Sequence, residues 1–328
     1  MDKNSILIRR VSALDIEALL KLHDKVWPDV DYDKRAKAHF MLEESEGVGY
    51  CAEADGRLIG SHLSILQNFY YGDRKLRCVE TGDTCVDPSS QGLGLFQKIY
   101  TAFRRDFFDC EKGELIWGIS APGAVRSFTK AGKQFIDTTL KLRKFGQPLR
   151  TIFKTRFNIK RIASPIVWDK ANDIKQIDPE LLKSREEIMR KNGLLHLNYD
   201  QETFIWRMTS NSGIKSFFQP GLGYILYKEG HRGQIVEMGI GEVFLYDYTK
   251  KSLRKLLKRF QNNLHPDIMW VIVSEGHPLR KYYSSCGFWV NPRKKYLPHC
   301  VLAETEEMKE IGYKPMNWAI TSLDVDTF

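Results

Sequence analysis

Residues 86–100, VDPSSQGLGLFQKIY, put a strand end, a proline turn and two glycines directly before an amphipathic helix. A strand that runs through a short glycine loop into a helix calls for a layered α/β architecture. The loop also has chemical consequences. The first backbone N–H groups of a helix lack intrahelical acceptors and lie at the positive end of its dipole, so they suit a pyrophosphate. Glycines let that backbone approach a ligand closely, and Gln91 can donate a further side-chain hydrogen bond.

Spacing separates the glycine-loop templates. A phosphate-binding loop of the Walker type ends in Gly-Lys-Ser/Thr, which is absent here. A dinucleotide fingerprint needs a third glycine at position 97, where the chain has Gln97, and follows a first strand rather than one in mid-sheet. What remains is Gln91-Gly92-Leu93-Gly94-Leu95 after a strand ending in Val86-Asp87-Pro88.

Periodicity supplies the surroundings. A short strand over 5–10 precedes a helix stopped by Pro28, and a second helix is expected over 33–45. Next come a hairpin turning at Asp55-Gly56 and an antiparallel pair over 62–70 and 75–87. A helix over 92–110, a strand over 114–120, a short helix over 122–131 and a strand after Gly132 complete the first half. The second half repeats this order: a helix at PELLKSREEIMRKNG, strands at GYILYKEG and GQIVEMGIGEVFLYD, a basic helix over 249–263 and a strand at IMWVIVS. AVRSFTKAGKQF (124–135) and PLRKYYSSCGFWV (278–290) match in an arginine, an aromatic four residues before glycine and apolar residues after it. The expected fold is a mixed, mostly antiparallel α/β sheet with helices on both faces, divided at 1–163 and 164–328.

At Val86-Asp87-Pro88, Gln91 and Gly94 the sequence resembles the GNAT superfamily of acyl-CoA-dependent N-acyltransferases, marked by Arg/Gln-x-x-Gly-x-Gly/Ala after a strand ending in Val-x-Pro. Phe96 departs from the usual pattern and resembles a subgroup with GxGxF loops. The resemblance covers residues 1 to about 145. It implies an acyl-CoA co-substrate, acetyl or longer, gripped at Gln91, Gly92, Leu93, Gly94, Leu95 and Phe96, with its pantetheine arm meeting backbone at Cys85 and Val86. The second half resembles the C-terminal part of large two-module GNAT-like proteins and has no glycine loop near 246–252, so only the first module is expected to bind the cofactor.

Acyl transfer to an amine requires removal of a proton from the amine, stabilisation of the oxyanion and departure of a thiolate. For the base, the strand CVETGDTCV offers Glu80 and Asp83. Glu80 stands where histone-type members of the superfamily carry their catalytic glutamate. Many members place a tyrosine four residues before the glycine of TKAG, and Phe128 stands there, without a hydroxyl. The ending NWAITSLDVDTF reads as a strand that could present the terminal carboxylate of Phe328 to the active site. Trp206, Arg207, Tyr283 and His299 are candidate contacts to the acceptor, for which resemblance suggests a nucleotide-linked amino sugar of surface-polysaccharide synthesis. Two other readings stand beside this one: a Fem-type peptidyl transferase using aminoacyl-tRNA, whose long helical hairpin is not visible, and a catalytically silent CoA-binding regulatory module.

Composition limits the alternatives. The chain of 328 residues is 42% hydrophobic with a net charge of +9, which favours anionic partners, although its Lys and Arg are scattered and nucleic acid is not expected. Six cysteines without close pairing argue against a disulfide framework, and His23, His39 and His62 have no partners at metal-ligand spacing. No stretch approaches the ~18 apolar residues of a membrane span, so a cytoplasmic protein is expected.

Overall fold

The computed structural model describes residues 6–28, 48–148, 151, 177–210, 213–291 and 296–325. The expected helix over 33–45, the division at residue 163 and Phe328 lie outside them. The chain forms two compact units that interleave in sequence rather than following one cut. The first consists of Met1–Phe69, Lys75–Ile136 and Pro298–Tyr313, and the second of Tyr70–Arg74, Asp137–Leu297 and Lys314–Phe328.

The first unit opens with β1 (Leu7–Arg10) and α1 (Ile16–Val26). β2 (Val48–Ala54) and β3 (Arg57–Tyr71) form the expected hairpin, with Asp55 and Gly56 both at positive φ. That geometry matches the right-handed twist of paired strands. β4 (Arg74–Val86) leads through the glycine loop into α2 (Leu95–Arg105). The helix is shorter than the expected 92–110, because both glycines stay outside it and Asp106–Cys110 continues as a π-helical turn. α2 buries Leu95, Ile99, Tyr100 and Phe103 along one face, each burial contributing about 1.5–3 kcal/mol. β5 (Leu115–Ile119), α3 (Val125–Lys130) and β6 (Gln134–Ile136) follow. The sheet order is β1-β2-β3-β4-β5-β14-β6, in which β14 (His299–Leu302) arrives from far along the chain and lies antiparallel to both β5 and β6. α8 (Glu306–Gly312) ends this unit's share of the chain.

The second unit takes β7 (Thr139–Phe145) from the end of the first half. It continues with α4 (Pro179–Lys191), β8 (Leu195–Leu197) and α5 (Gln201–Ser210). β9 (Ile214–Gln219), β10 (Gly223–Arg232) and β11 (Ile235–Leu245) form an antiparallel meander. α6 (Lys250–Leu264) buries Leu253, Leu256, Leu257 and Phe260, while the Lys and Arg residues of the basic run form its exposed face. β12 (Ile268–Ser274), α7 (Arg280–Ser285) and β13 (Trp289–Val290) complete a sheet ordered β13-β7-β12-β11-β10-β9.

The two matched stretches fold alike. α3 closes on Gly132 at φ +92° and α7 on Gly287 at φ +88°, and each passes into a short strand. The strand that follows then joins the other unit's sheet, β7 one way and β14 the other. The C-terminal stretch is not the expected strand. Trp318–Val325 makes isolated bridges at Trp318 and Thr321 and a 3-10 turn over Ser322–Asp324. Among the described residues no helix is long and apolar enough to cross a membrane, and the six cysteines are free thiols.

Candidate functional site

In the first unit β4 and β5 run parallel, a pairing that requires a crossover, here α2. Their register is Cys78↔Leu115, Val79↔Ile116 and Glu80↔Trp117, and it stops there. Beyond this point Gly118 and Ile119 are paired on their other side with Cys300 and His299, while β4 runs on to Val86. The strands therefore part, leaving a wedge with its apex at Glu80 and Trp117. Gly118 permits the close approach at the apex, because a Cβ there would lie 2.5 Å from Thr81 Oγ1.

The glycine loop lies at the far end of β4. Asp87 accepts from Ser89 N at 3.0 Å and caps a turn over Pro88–Ser90, and Gln91 is extended and exposed. Gly92 and Gly94 have φ of +82° and +72°, and a Cβ on either would meet nothing within 4 Å. They are needed for backbone conformation in open space. Gly94 is the N-cap of α2 and no side chain caps that end, so the first N–H groups of the helix remain for an anion. Leu95 is buried against Ala52, Ala54, Ile59 and Ile99, with Leu93 and Val86 packed on the same cluster. The unusual Phe96 stacks on Tyr100 and meets the edge of Phe128, so it packs α2 against α3. The Cys85 thiol is hydrogen-bonded to Ser61 Oγ at 3.3 Å and burial pushes its pKa up to about 12, which leaves its backbone as the part suited to a ligand.

Side chains flank the apex on both faces, since consecutive strand residues alternate. On one face Glu80 is fully buried and accepts from Gln67 Nε2 at 2.7 Å, and Gln67 Oε1 accepts from Trp117 Nε1 at 3.2 Å. His299 is also buried there, its ring 5.7 Å from that of Trp117. On the other face Thr81 Oγ1 donates to the Trp117 carbonyl at 3.1 Å and accepts from Lys133 Nζ at 2.9 Å. Lys133 is buried, with its ammonium 4.0 Å from the centroid of Phe128 and 3.5 Å from Cys300 Sγ. Burial, reinforced by the Lys133 charge, brings both His62 and His299 down to about 3, so each imidazole is neutral. Asp83 is half-buried further along β4.

The fold thus brings Glu80, Cys85, Val86 and Gln91–Phe96 onto one strand–loop–helix path, with Asp83 on the same strand. His299, expected in the second module, belongs instead to the sheet of the first unit because β14 pairs there. Gln67 and Lys133 were not singled out by the sequence. Comparing the matched stretches residue by residue would have exposed Lys133, which stands where the second copy has Phe288.

The second unit has the same parting of strands but fills it. β11 and β12 pair in parallel up to Ile240↔Val271. Past that point β12 turns its free edge to the C-terminal segment: Ser274 N donates to the Ile320 carbonyl at 2.9 Å and Ile272 N to Ser322 Oγ at 3.0 Å. Thr321 Oγ1 reaches Glu242 on β11 at 3.4 Å, and Glu242 pairs with Arg185 at 3.2 Å. The start of α6 is closed too, with Thr249 accepting from Ser252 N at 3.3 Å and Asp247 beside it. Arg207, buried, donates to the Asp324 carbonyl at 2.8 Å, and Tyr283 lies in the apolar core edge-on to Phe288. In the described residues both of these candidate acceptor contacts are engaged in packing within the second unit. The side chain of Trp206, like Phe328, lies outside the described residues.

No family model matches the sequence, and no curated protein matches it significantly. Solved structures do. A GCN5-related N-acetyltransferase from Anabaena variabilis superposes with a TM-score of 0.61 at 10% identity, covering 90% of this chain and 72% of its own. One from Kribbella flavida gives 0.60 at 9% identity, with 92% and 72% covered. The glucosamine N-acetyltransferase region of a fungal multi-domain GH3 β-N-acetylglucosaminidase gives 0.55 at 12% identity, covering 90% of this chain and 38% of that one. The chain has the GCN5-related N-acetyltransferase fold.

Proposed function

We propose that this chain is an acyl-CoA-dependent N-acyltransferase whose first unit carries the cofactor. One contrast supports the reading most strongly. In the first unit an uncapped helix start follows a glycine loop at the end of the wedge strand, whereas in the second the equivalent helix start is capped and the wedge is filled by Trp318–Val325.

In this reading the backbone N–H groups of Gly92–Phe96, with the Gln91 amide, hold the pyrophosphate, and backbone at Cys85 and Val86 pairs with the pantetheine arm. The co-substrate supplies the activated thioester. Glu80, oriented by Gln67, removes the amine proton directly or through water, and Asp83 is a second carboxylate on the same strand. The acceptor we favour is the amino group of a nucleotide-linked sugar. The net charge of +9 suits a phosphorylated acceptor, and one neighbour of this fold acts on glucosamine.

The test is thiol release from acetyl-CoA and longer acyl-CoAs with nucleotide amino sugars as acceptors. Turnover with such a sugar is the expected result. Tight CoA binding without turnover on any amine would favour the silent regulatory module instead.

A further inference from the structure

Lys133 is a cation in a place where the fold does not need one. The matched stretches align Phe128-x-x-x-Gly132-Lys133 with Tyr283-x-x-x-Gly287-Phe288, and the same backbone bond closes both turns: Lys133 N to the Phe128 carbonyl at 3.0 Å and Phe288 N to the Tyr283 carbonyl at 3.1 Å. In the second copy Phe288 simply packs on Tyr283. The first stretch has no phenol at Phe128 and instead carries an ammonium, buried to 3% exposure, over that ring. Among the described residues no carboxylate lies within ion-pair distance of it. Its hydrogen-bond partners are Thr81 and Cys300 at the wedge apex. A buried charge without a counter-ion is costly, so packing alone would select an apolar residue here.

We propose that Lys133 protonates the departing thiolate, a role that rests on the acyltransferase reading above. An arm gripped at 92–96 and passing Val86 and Cys85 reaches Thr81 about 13 Å further down β4, at ~3.3 Å per residue. Glu80 and Thr81, being consecutive, face opposite sides, so the base and the ammonium flank the apex from opposite faces. When the amine nitrogen bonds to the thioester carbon, the C–S bond breaks and its electron pair goes to sulfur. A proton moves from Lys133 Nζ to that sulfur to give the free thiol, and Lys133 is reprotonated from solvent. The amine proton leaves through Glu80. Burial lowers the Lys133 pKa below that of an exposed lysine, which makes it a better proton donor. The titratable groups around it are Tyr100 on α2, Cys300 and His299 on β14, and His62 on β3. Burial and the nearby charge keep both histidines neutral above about pH 3, and burial holds the Tyr100 phenol well above its usual value.

The experiment compares wild type with Lys133→Met and Lys133→Arg for CoA binding by calorimetry and for kcat against pH. Lys133→Met should keep CoA affinity and thermal stability, lower kcat about 10²-fold or more, and abolish the alkaline limb of the kcat profile. Lys133→Arg should keep the charge yet move that limb beyond the accessible range. Full kcat with an unchanged alkaline limb in Lys133→Met would overturn the assignment. Failure of the wild type to bind CoA would instead overturn the underlying reading.

Discussion

Gln67 holds the carboxylate of Glu80 at 2.7 Å while its own carbonyl oxygen accepts from Trp117, and Gln67 and Glu80 are at most 3% exposed. In the proposed reading, a carboxylate fixed in this way keeps its orientation without having to be ordered during the reaction. Glu80→Gln keeps the shape and removes the basicity. It should lower kcat by about 10²–10⁴-fold and leave CoA binding intact. Thiol-release kinetics beside calorimetry would check this, and undiminished turnover would remove Glu80 from the role.

Gly94 separates a backbone requirement from a steric one. Its φ of +72° disfavours any Cβ, yet a Cβ there would touch nothing. Gly94→Ala should therefore cost about 1–2 kcal/mol of stability from conformation alone. If the loop grips a pyrophosphate, CoA affinity should fall by more than the same change at Gly56, another positive-φ glycine in open space, in the β2–β3 turn. Thermal melts and CoA titrations of both variants decide the point, and equal affinities would argue against the grip.

Stability should fall on mild acidification. His62, His277 and His299 are buried and held down to about 3 against an ordinary 6.5. Between pH 6.5 and 3 the unfolded chain binds protons that the folded protein refuses, so stability is full above 6.5 and lost as pH drops. Glu242 acts oppositely: burial and then the Asp324 charge raise it to about 7 against the pull of Arg185, so its contribution is present below 4.5 and lost as pH rises through 7. The three histidines outweigh the one glutamate between pH 6.5 and 4.5, where the net slope is on the order of 1 kcal/mol per pH unit for each uncompensated proton. The thermal midpoint should decline from pH 7 to pH 5, and His62→Gln should lessen that decline. A flat profile would contradict the buried neutral imidazoles.

Local signals made much of this molecule legible. Asp55-Gly56 fixed a hairpin because few residues tolerate two positive φ values. The loop at 91–95 announced a helix start, and the glycines at 132 and 287 marked two turns that close alike. What the sequence concealed is non-local. β7 and β14 enter sheets formed by distant residues, and strand pairing across more than 120 positions leaves no local mark. Lys133 looked like one of many surface cations until the matching turn bonds set it beside Phe288 in comparison. The apolar pattern of NWAITSLDV suggested a strand because Trp318–Val325 is buried, although its backbone bonds go to single partners, chiefly Ser274, Leu195 and the Asp324 carboxylate.

That segment carries the last prediction. Trp318 is fully buried, and its carbonyl accepts from Ser274 Oγ at 2.5 Å while Ile320 N returns to the same oxygen at 2.8 Å. Trp318→Ala leaves these backbone bonds possible but opens a cavity, and should cost about 3–5 kcal/mol. Ser322→Ala removes the acceptor of Ile272 N inside the wedge and should cost about 1–3 kcal/mol. Because the two act on one plug, their combined effect should fall short of the sum. Thermal unfolding of the single and double variants measures this directly. Full additivity would mean that the segment packs as independent contacts rather than as a single filling of the second unit's wedge.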